Sequence, residues 1–312
     1  MFGTIAITDY DWYRTLFAMG GLDEVNFWLP SSRRGFRAEH YSPFFFKLRH
    51  PHNAIVGFGL FDRYIPLADW LAWECFEERN GCESFQAMSE RIRRIREGYG
   101  YVEEGGSNEI GCVLVAQPVF FPRDLWIPQP ADWHARTQRS QKYDLAIGEG
   151  RRIWLECQNR ARAHLHKHFV EPVPDSPEAT VQFLYRLAKQ RVGQGTFRVN
   201  VSDAYDWACS VTHEHSLPAL DAAHIRPVAK DGPNDVANGL LLRADLHRLF
   251  DHGYLTVTPD LHLEVSPRLR DDYSNGKSYY PHDRTLIHVP SDPALRPAPE
   301  FLRWHNECCF RA

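Results

Sequence analysis

Three prolines within residues 170–180, Pro172, Pro174 and Pro177, constrain this chain more than any other feature. Proline lacks a backbone N–H and fixes φ, so neither a helix interior nor a central strand runs through such a segment. The stretch therefore reads as a linker, with Pro177 suited to the first turn of a helix reaching about Gln190. It divides 312 residues into two parts, each near the ~150 residues typical of a domain. We place one domain at residues 1–170, a linker and helix at 171–194, and a second domain at 195–312.

The first part is strand-rich. Thr8 or Asp9 caps a short helix carrying Trp12, Leu16 and Met19 at helical spacing. Runs of strand length follow at Val25–Leu29, Phe44–Leu48 and Ala54–Phe61, each bounded by Pro, Gly, His or Asn. Residues 67–98 read as helix, with Leu67, Leu71, Trp73, Cys75 and Phe76 toward the core. Two more strands are expected at Ile110–Gln117 and Ile153–Gln158, around an irregular aromatic stretch, Pro118–Tyr143. Trp12, Trp70, Trp73 and Trp154 are assigned to the core. The pattern predicts an α+β domain on a compact, barrel-like sheet with flanking helices.

Composition excludes other classes. With 43% apolar and 24% charged residues, the chain is not disordered. No apolar run approaches the ~18–20 residues of a membrane helix, and Met1–Asp9 lacks the basic and apolar regions of a signal peptide. A cytoplasmic protein is expected. The seven cysteines form no Cys-x-x-Cys pair, so reduced, mostly buried thiols are expected and a structural zinc is not. Net charge is −4, which excludes bulk electrostatic coating of nucleic acid. The charge is uneven, however. Trp133–His168 holds eight Lys/Arg against three Asp/Glu, while carboxylates and histidines crowd 203–262. Such a pair of regions suits a chain that holds phosphates in one place and a divalent cation in another.

The chemistry concentrates between Leu220 and Asp251. Leu220–Ile225 reads as a short strand carrying His224, followed by a polar loop over 229–238. A second strand, Leu240–Leu242, leads into a helix that carries His247 and Asp251. Four residues apart, these two share one helical face. A strand-borne imidazole opposite a helix-borne His/Asp pair suits hydrolysis of a phosphodiester. The imidazole takes a proton from water, a divalent cation stabilises the phosphate, and Asn238 ties the loop and helps fix the tautomer of the base.

These residues resemble the HNH (ββα-metal) nuclease family, with His224, Asn238 and His247 in the three named positions. The resemblance extends over Gly193–Asp206, Cys209–Thr212 and Leu302–His305. It implies His224 as general base, Asn238 as orienting residue, His247 as metal ligand, and a divalent metal: Mg²⁺ or Mn²⁺, with Co²⁺ and Ni²⁺ as further candidates. Where many members place another ligand directly before the base, this chain has Ala223. Asp221, on the same strand face, and Asp251, at a helix position used by some relatives, are the candidates to replace it. His213, His215, His252, His262, His282 and His288 are expected at the surface, and His305 at the rim of the site.

In the first part, Asp23–Pro30, Phe44–Leu48 and Ile55–Gly59 resemble the EVE members of the PUA/SRA-like superfamily, β-barrels that accept a base turned out of a nucleic-acid strand. A flipped base needs stacking partners, and its distorted backbone needs cations. Trp28, Trp126, Trp133 and Tyr143 are the candidate stacking residues, and Arg136, Arg139 and Lys142 the candidate backbone contacts.

Together the two resemblances imply a modification-dependent restriction endonuclease. The first domain would bind 5-methyl- or 5-hydroxymethylcytosine in double-stranded DNA, and an HNH domain would cut at a distance set by the linker. One such site per chain and two strands to cut favour a homodimer. The alternatives are a catalytically inactive reader of modified DNA or RNA, which the loss of a ligand at Ala223 would produce, and an unspecific HNH nuclease.

Overall fold

The computed structural model describes residues 1–98, 108–134, 136–137, 139–168, 176–274 and 276–312, so most of the expected linker lies outside the described residues. These residues divide into two compact units, Met1–Arg191 and Val192–Ala312.

The first unit is an α+β layer structure around one sheet. Its strands are β1 (Phe2–Thr8), β2 (Glu24–Leu29), β3 (Pro43–Leu48), β4 (Ala54–Ala68), β5 (Glu109–Phe120), β6 (Ile127–Pro128) and β7 (Ser140–Asp144). The sheet runs β2-β5-β4-β3-β1-β7, with β6 on β4. Its ends are β2 and β7, and no pairing between them closes a barrel among the described residues. β1 pairs parallel with β3 and antiparallel with β7.

All six residues of β3 are buried, and their alternation explains why. Phe44 and Phe46 enter one apolar cluster, with Trp12, Tyr13 and Leu16 of helix α1 (Tyr10–Met19). Phe45 points to the other face, where it meets Trp154. Helices α4 (Gly148–His168) and α5 (Pro177–Gln190) cover that second face, through Ile153, Trp154, Cys157, Ala161, Leu184 and Ala188. A strand covered on both sides reads as a continuous apolar run, as Phe44–Phe46 does.

Four sequence expectations change. Ile153–Gln158 is not a strand but part of α4, because Ile153, Cys157 and Ala161 recur every four residues and are buried while Leu155 is exposed. Helix does not fill 67–98. β4 continues to Ala68 by pairing with β5, then α2 (Asp69–Phe76), a 3₁₀ turn and α3 (Phe85–Gly98) follow. Gly81, at φ +69°, makes the break, and an added Cβ there would lie 2.1 Å from the Trp12 ring. Trp70 and Trp73 are half-buried, because α2 turns Leu71, Ala72, Cys75 and Phe76 inward instead. β1 and β7 arise where only helix or irregular chain was expected. Of the seven cysteines, five are buried, Cys308 is exposed, and none is in a disulfide.

The second unit contains α6 (Gln194–Ala204), β8 (Leu220–His224), β9 (Gly239–Arg243), α7 (Ala244–Asp251), β10 (Leu255–Val257), β11 (Leu263–Val265), α8 (Arg268–Tyr273) and α9 (Pro299–Cys308). β8 and β9 form an antiparallel hairpin with Leu220 opposite Arg243 and His224 opposite Gly239. Two five-residue strands are marginal alone. Packing holds them: Phe197 and Val201 of α6, Tyr205 directly after it, Leu240–Leu242 of β9, Leu246 and Phe250 of α7 and Leu302 of α9 form one buried cluster. Each such side chain contributes about 1.5–3 kcal/mol when fully buried. No described helix is long and apolar enough to cross a membrane.

Candidate active site

His224 ends β8, and α7 follows β9 without an intervening residue, so the hairpin register fixes where α7 presents His247 and Asp251. Phe197 of α6 stacks on the His224 ring, with centroids 4.0 Å apart and planes 11° from parallel. One ring face is thereby covered and the ring plane set.

The Nε2 atom of His224 lies 2.7 Å from Oδ1 of Asn234. The Asn234 amide has one consistent orientation, because its Nδ2 donates to the Val192 carbonyl at 2.6 Å. Oδ1 is thus an acceptor, Nε2 carries the proton, and Nδ1 is left with its lone pair free. Burial lowers the pKa of His224; the Asn234 hydrogen bond and the Asp251 charge oppose this, and His247 adds to it. The result is an imidazole held neutral, in one tautomer, with one nitrogen able to take a proton. Neither Asn234 nor Phe197 was picked out from sequence. Asn234 lies in the polar loop 229–238 and Phe197 in the segment Gly193–Asp206.

Asn238 does tie the loop. Its Oδ1 accepts from the Arg226 N–H, and its Nδ2 donates to the carbonyls of Arg226 and Pro233, all at 2.9 Å. These bonds use both amide donors on the loop backbone, and it is Asn234, not Asn238, that meets the His224 ring and fixes its tautomer. Gly232 lets the loop close, since a Cβ there would lie 1.8 Å from the Arg226 carbonyl oxygen.

His247 stands between two carboxylates. Nδ1 lies 3.4 Å from Oδ2 of Asp221, and Nε2 lies 3.4 Å from Oδ2 of Asp251. Burial disfavours charge on His247, but the two aspartates outweigh it and raise the pKa. Hydrogen bonding to His247 lowers that of Asp221. Ala223 is buried in the core and leaves no side chain facing this group.

The donor set suits a divalent cation with nitrogen and oxygen preferences. Each imidazole nitrogen faces one carboxylate, so a cation can take His247 with one aspartate at a time. Among the described residues no larger group of His, Cys, Asp and Glu is assembled to hold a metal. Two protein ligands are enough for an ion of the Mg²⁺ kind, which keeps water and phosphate oxygens in its shell.

His305 is not at the rim of the site. It is 3% exposed and stacks on Phe250, with centroids 3.7 Å apart, and both nitrogens are bonded, to Thr256 Oγ1 at 2.8 Å and to the Phe250 carbonyl at 3.2 Å. His213, His215, His252 and His262 are exposed, while His282 and His288 are half-buried.

In the first unit the four candidate stacking residues are not brought together. Trp28 lines a cleft of about 730 Å³, and Arg139 lines the same cleft. Trp126 donates to the Phe121 carbonyl at 3.1 Å. Trp133 lies beneath the buried ammonium of Lys47, 4.8 Å from the ring centroid. Tyr143 is buried and donates to Asp132. These three are packing residues outside the cleft. Arg136 and Lys142 are exposed and do not line it.

No curated protein matches this sequence. Among solved structures the chain is similar to a modification-dependent TagI restriction endonuclease, at 22% identity and a TM-score of 0.26 over 37% of this chain and 38% of that one. It is also similar to ASCH from Zymomonas mobilis, at 11% identity and a TM-score of 0.31 over 48% of this chain and 92% of that one. The chain thus spans well under half the length of the restriction endonuclease. Residues 209–258, which hold β8, β9 and α7, match the family HNH_2, HNH endonuclease, so the second unit carries an HNH endonuclease segment.

Proposed function

We propose that the chain is a modification-dependent DNA endonuclease, in which the second unit hydrolyses phosphodiester bonds and the first binds a modified cytosine, 5-methyl or 5-hydroxymethyl, turned out of the duplex. The observation that carries the nuclease reading is the single-tautomer His224 set near His247 and Asp251 within the segment 209–258. The base-recognition reading rests on the motifs of the first unit.

Nδ1 of His224 takes the proton of the attacking water, while Asn234 holds Nε2–H and Phe197 holds the ring plane. His247 and Asp251 would hold one divalent cation, Mg²⁺ or Mn²⁺. Asp221 accepts the Nδ1–H of His247 and so aims its other nitrogen, the usual arrangement for a metal-bound histidine. When bound, the cation supplies charge stabilisation for the scissile phosphate and its leaving oxygen. Asn238 keeps the loop that carries Asn234 closed. Two chains supply the two cuts a duplex requires.

The test is cleavage by the full chain, with Mg²⁺ or Mn²⁺, of three matched duplexes: unmodified, 5-methylcytosine and 5-hydroxymethylcytosine DNA. Cutting of modified duplexes alone, lost in EDTA and in His224→Ala, is expected. Equal cutting of all three would remove modification sensing. Tight binding with no cutting would make the chain an inactive reader.

A further inference from the structure

The cleft lined by Trp28 is formed by residues of β1, α1, β2 and α3, and its volume falls within the ~300–1,000 Å³ of ligand pockets. Five arginines line it: Arg34, Arg49, Arg91, Arg94 and Arg139. Its two aspartates are already engaged, since Asp9 and Asp11 both pair with Arg91, and Asp9 also caps α1 by accepting from the Trp12 N–H. The other four arginines make no side-chain hydrogen bond or ion pair among the described residues. Unpaired like charges gathered in a concavity repel one another, and they focus a positive potential there. Guanidinium groups match phosphate oxygens in geometry as well as charge.

The wall is aromatic. Trp12 and Trp28 both line the cleft and are 3% and 9% exposed. Trp28 donates its indole N–H to the Asn80 carbonyl at 2.9 Å. The Trp12 Nε1–H has no partner among the described residues and is buried against Gly81, so Trp12 offers the cleft its ring and not a donor.

We propose that this cleft binds a phosphate-bearing nucleotide unit of DNA, with Arg34, Arg49, Arg94 and Arg139 on the phosphates and the Trp12 and Trp28 rings as its apolar wall. The choice of DNA rests on the proposed function; the need for an anionic ligand comes from the cleft itself. Among the sequence candidates for base and backbone contact, this retains Trp28 and Arg139.

The experiment is fluorescence anisotropy with the full chain in EDTA, using a fluorescein-labelled 20-nucleotide DNA, single-stranded and duplex, over a series of salt concentrations. Arg34→Ala/Arg94→Ala should weaken binding by at least about tenfold and lower the salt slope by about two. Arg93→Ala is the control: it removes the same charge from α3, but Arg93 is exposed and does not line the cleft. It should have little effect.

Competition with deoxycytidine monophosphate and with inorganic phosphate identifies the unit recognised. Displacement by the nucleotide supports a one-nucleotide site, and displacement only by unlabelled oligonucleotide supports a site that reads the strand. Native affinity and slope in Arg34→Ala/Arg94→Ala would overturn the proposal, as would an equal loss in Arg93→Ala. Cleavage is not read, so an inactive nuclease leaves the cleft standing. Conversely, an enzyme that cuts modified DNA while the double variant binds normally removes the cleft and keeps the nuclease.

Discussion

Two histidines of the second unit sit face to face with a phenylalanine in nearly the same way: His224 on Phe197 at 4.0 Å and His305 on Phe250 at 3.7 Å, both with planes 11° from parallel. Their surroundings differ in what is left over. His305 is buried, with Thr256 on Nδ1 and the Phe250 carbonyl on Nε2. Asn306 closes that network by donating to Thr256 Oγ1 at 2.7 Å, so no proton site remains open. His224 is half-buried, and only Nε2 is held. Stacking fixes a ring; whether the ring does structural or chemical work depends on whether its second nitrogen has a partner.

The largest expected effect breaks this pair apart. His224→Ala should lower the rate of DNA cleavage by about 10²–10⁴, the usual contribution of a general base, with little change in unfolding midpoint. His305→Ala should do the reverse, lowering stability by a few kcal/mol while the properly folded fraction cuts normally. Cleavage rates normalised to active-site titration, alongside urea unfolding, check both. Equal rates in the wild type and His224→Ala would end the assignment of His224 as base.

The next effect concerns pH. Burial pushes the His305 pKa down to about 4, against ~6.5 in an unfolded chain. Below ~6.5 the unfolded chain takes up a proton that the folded chain refuses, so stability falls with pH until about 4 and is full above 6.5. The loss across this window is about 3 kcal/mol. Urea unfolding of the wild type and of His305→Leu from pH 7 to 4 measures it. The leucine variant should lack this component, and identical pH profiles would show that His305 does not carry it.

A smaller effect separates the two aspartates around His247. Asp251→Ala should weaken Mn²⁺ binding by more than about 100-fold, and Asp221→Ala, by freeing the imidazole to turn, by about 10–100-fold. Titration calorimetry on the full chain reads both without reference to activity. The opposite ranking would exchange the roles of ligand and orienting group.

The sequence made the second unit more legible than the first, for a physical reason. In β8, β9 and α7 every chemical residue lies within one short strand–loop–strand–helix segment, so local spacing determines which side chains can meet. In the first unit, contacts are made across the sheet. β1 is a central strand only because β3 and β7 lie beside it, and Ile153–Gln158, apolar and aromatic enough for a strand, becomes helix because α4 must cover Phe45 and Phe58. The same limit hid the cleft. Arg34, Arg49, Arg94 and Arg139 are far apart in sequence and converge only in the fold. Even the legible segment lacked one detail. Asn238 was the obvious amide, but its two ends are consumed by Arg226 and Pro233, and the amide that meets His224 is Asn234.

The smallest predicted effect falls on that residue. Without the Asn234 acceptor, the neutral His224 ring can carry its proton on either nitrogen, so only part of the population presents a free Nδ1. Phe197 still holds the ring plane, so geometry survives and the loss is one of tautomer alone. Asn234→Ala should therefore slow cleavage by about tenfold, the lower end for a residue that orients a catalytic group. Asn234→Asp, which keeps an acceptor at the same position, should retain more of the rate than alanine. The ¹⁵N shifts of the imidazole read the tautomer directly: wild type with the proton on Nε2, and Asn234→Ala with a mixture. A native tautomer in the alanine variant, together with a native rate, would show that the stack alone prepares His224. The difference between the two histidines would then lie only in the open nitrogen and not in the amide that faces it.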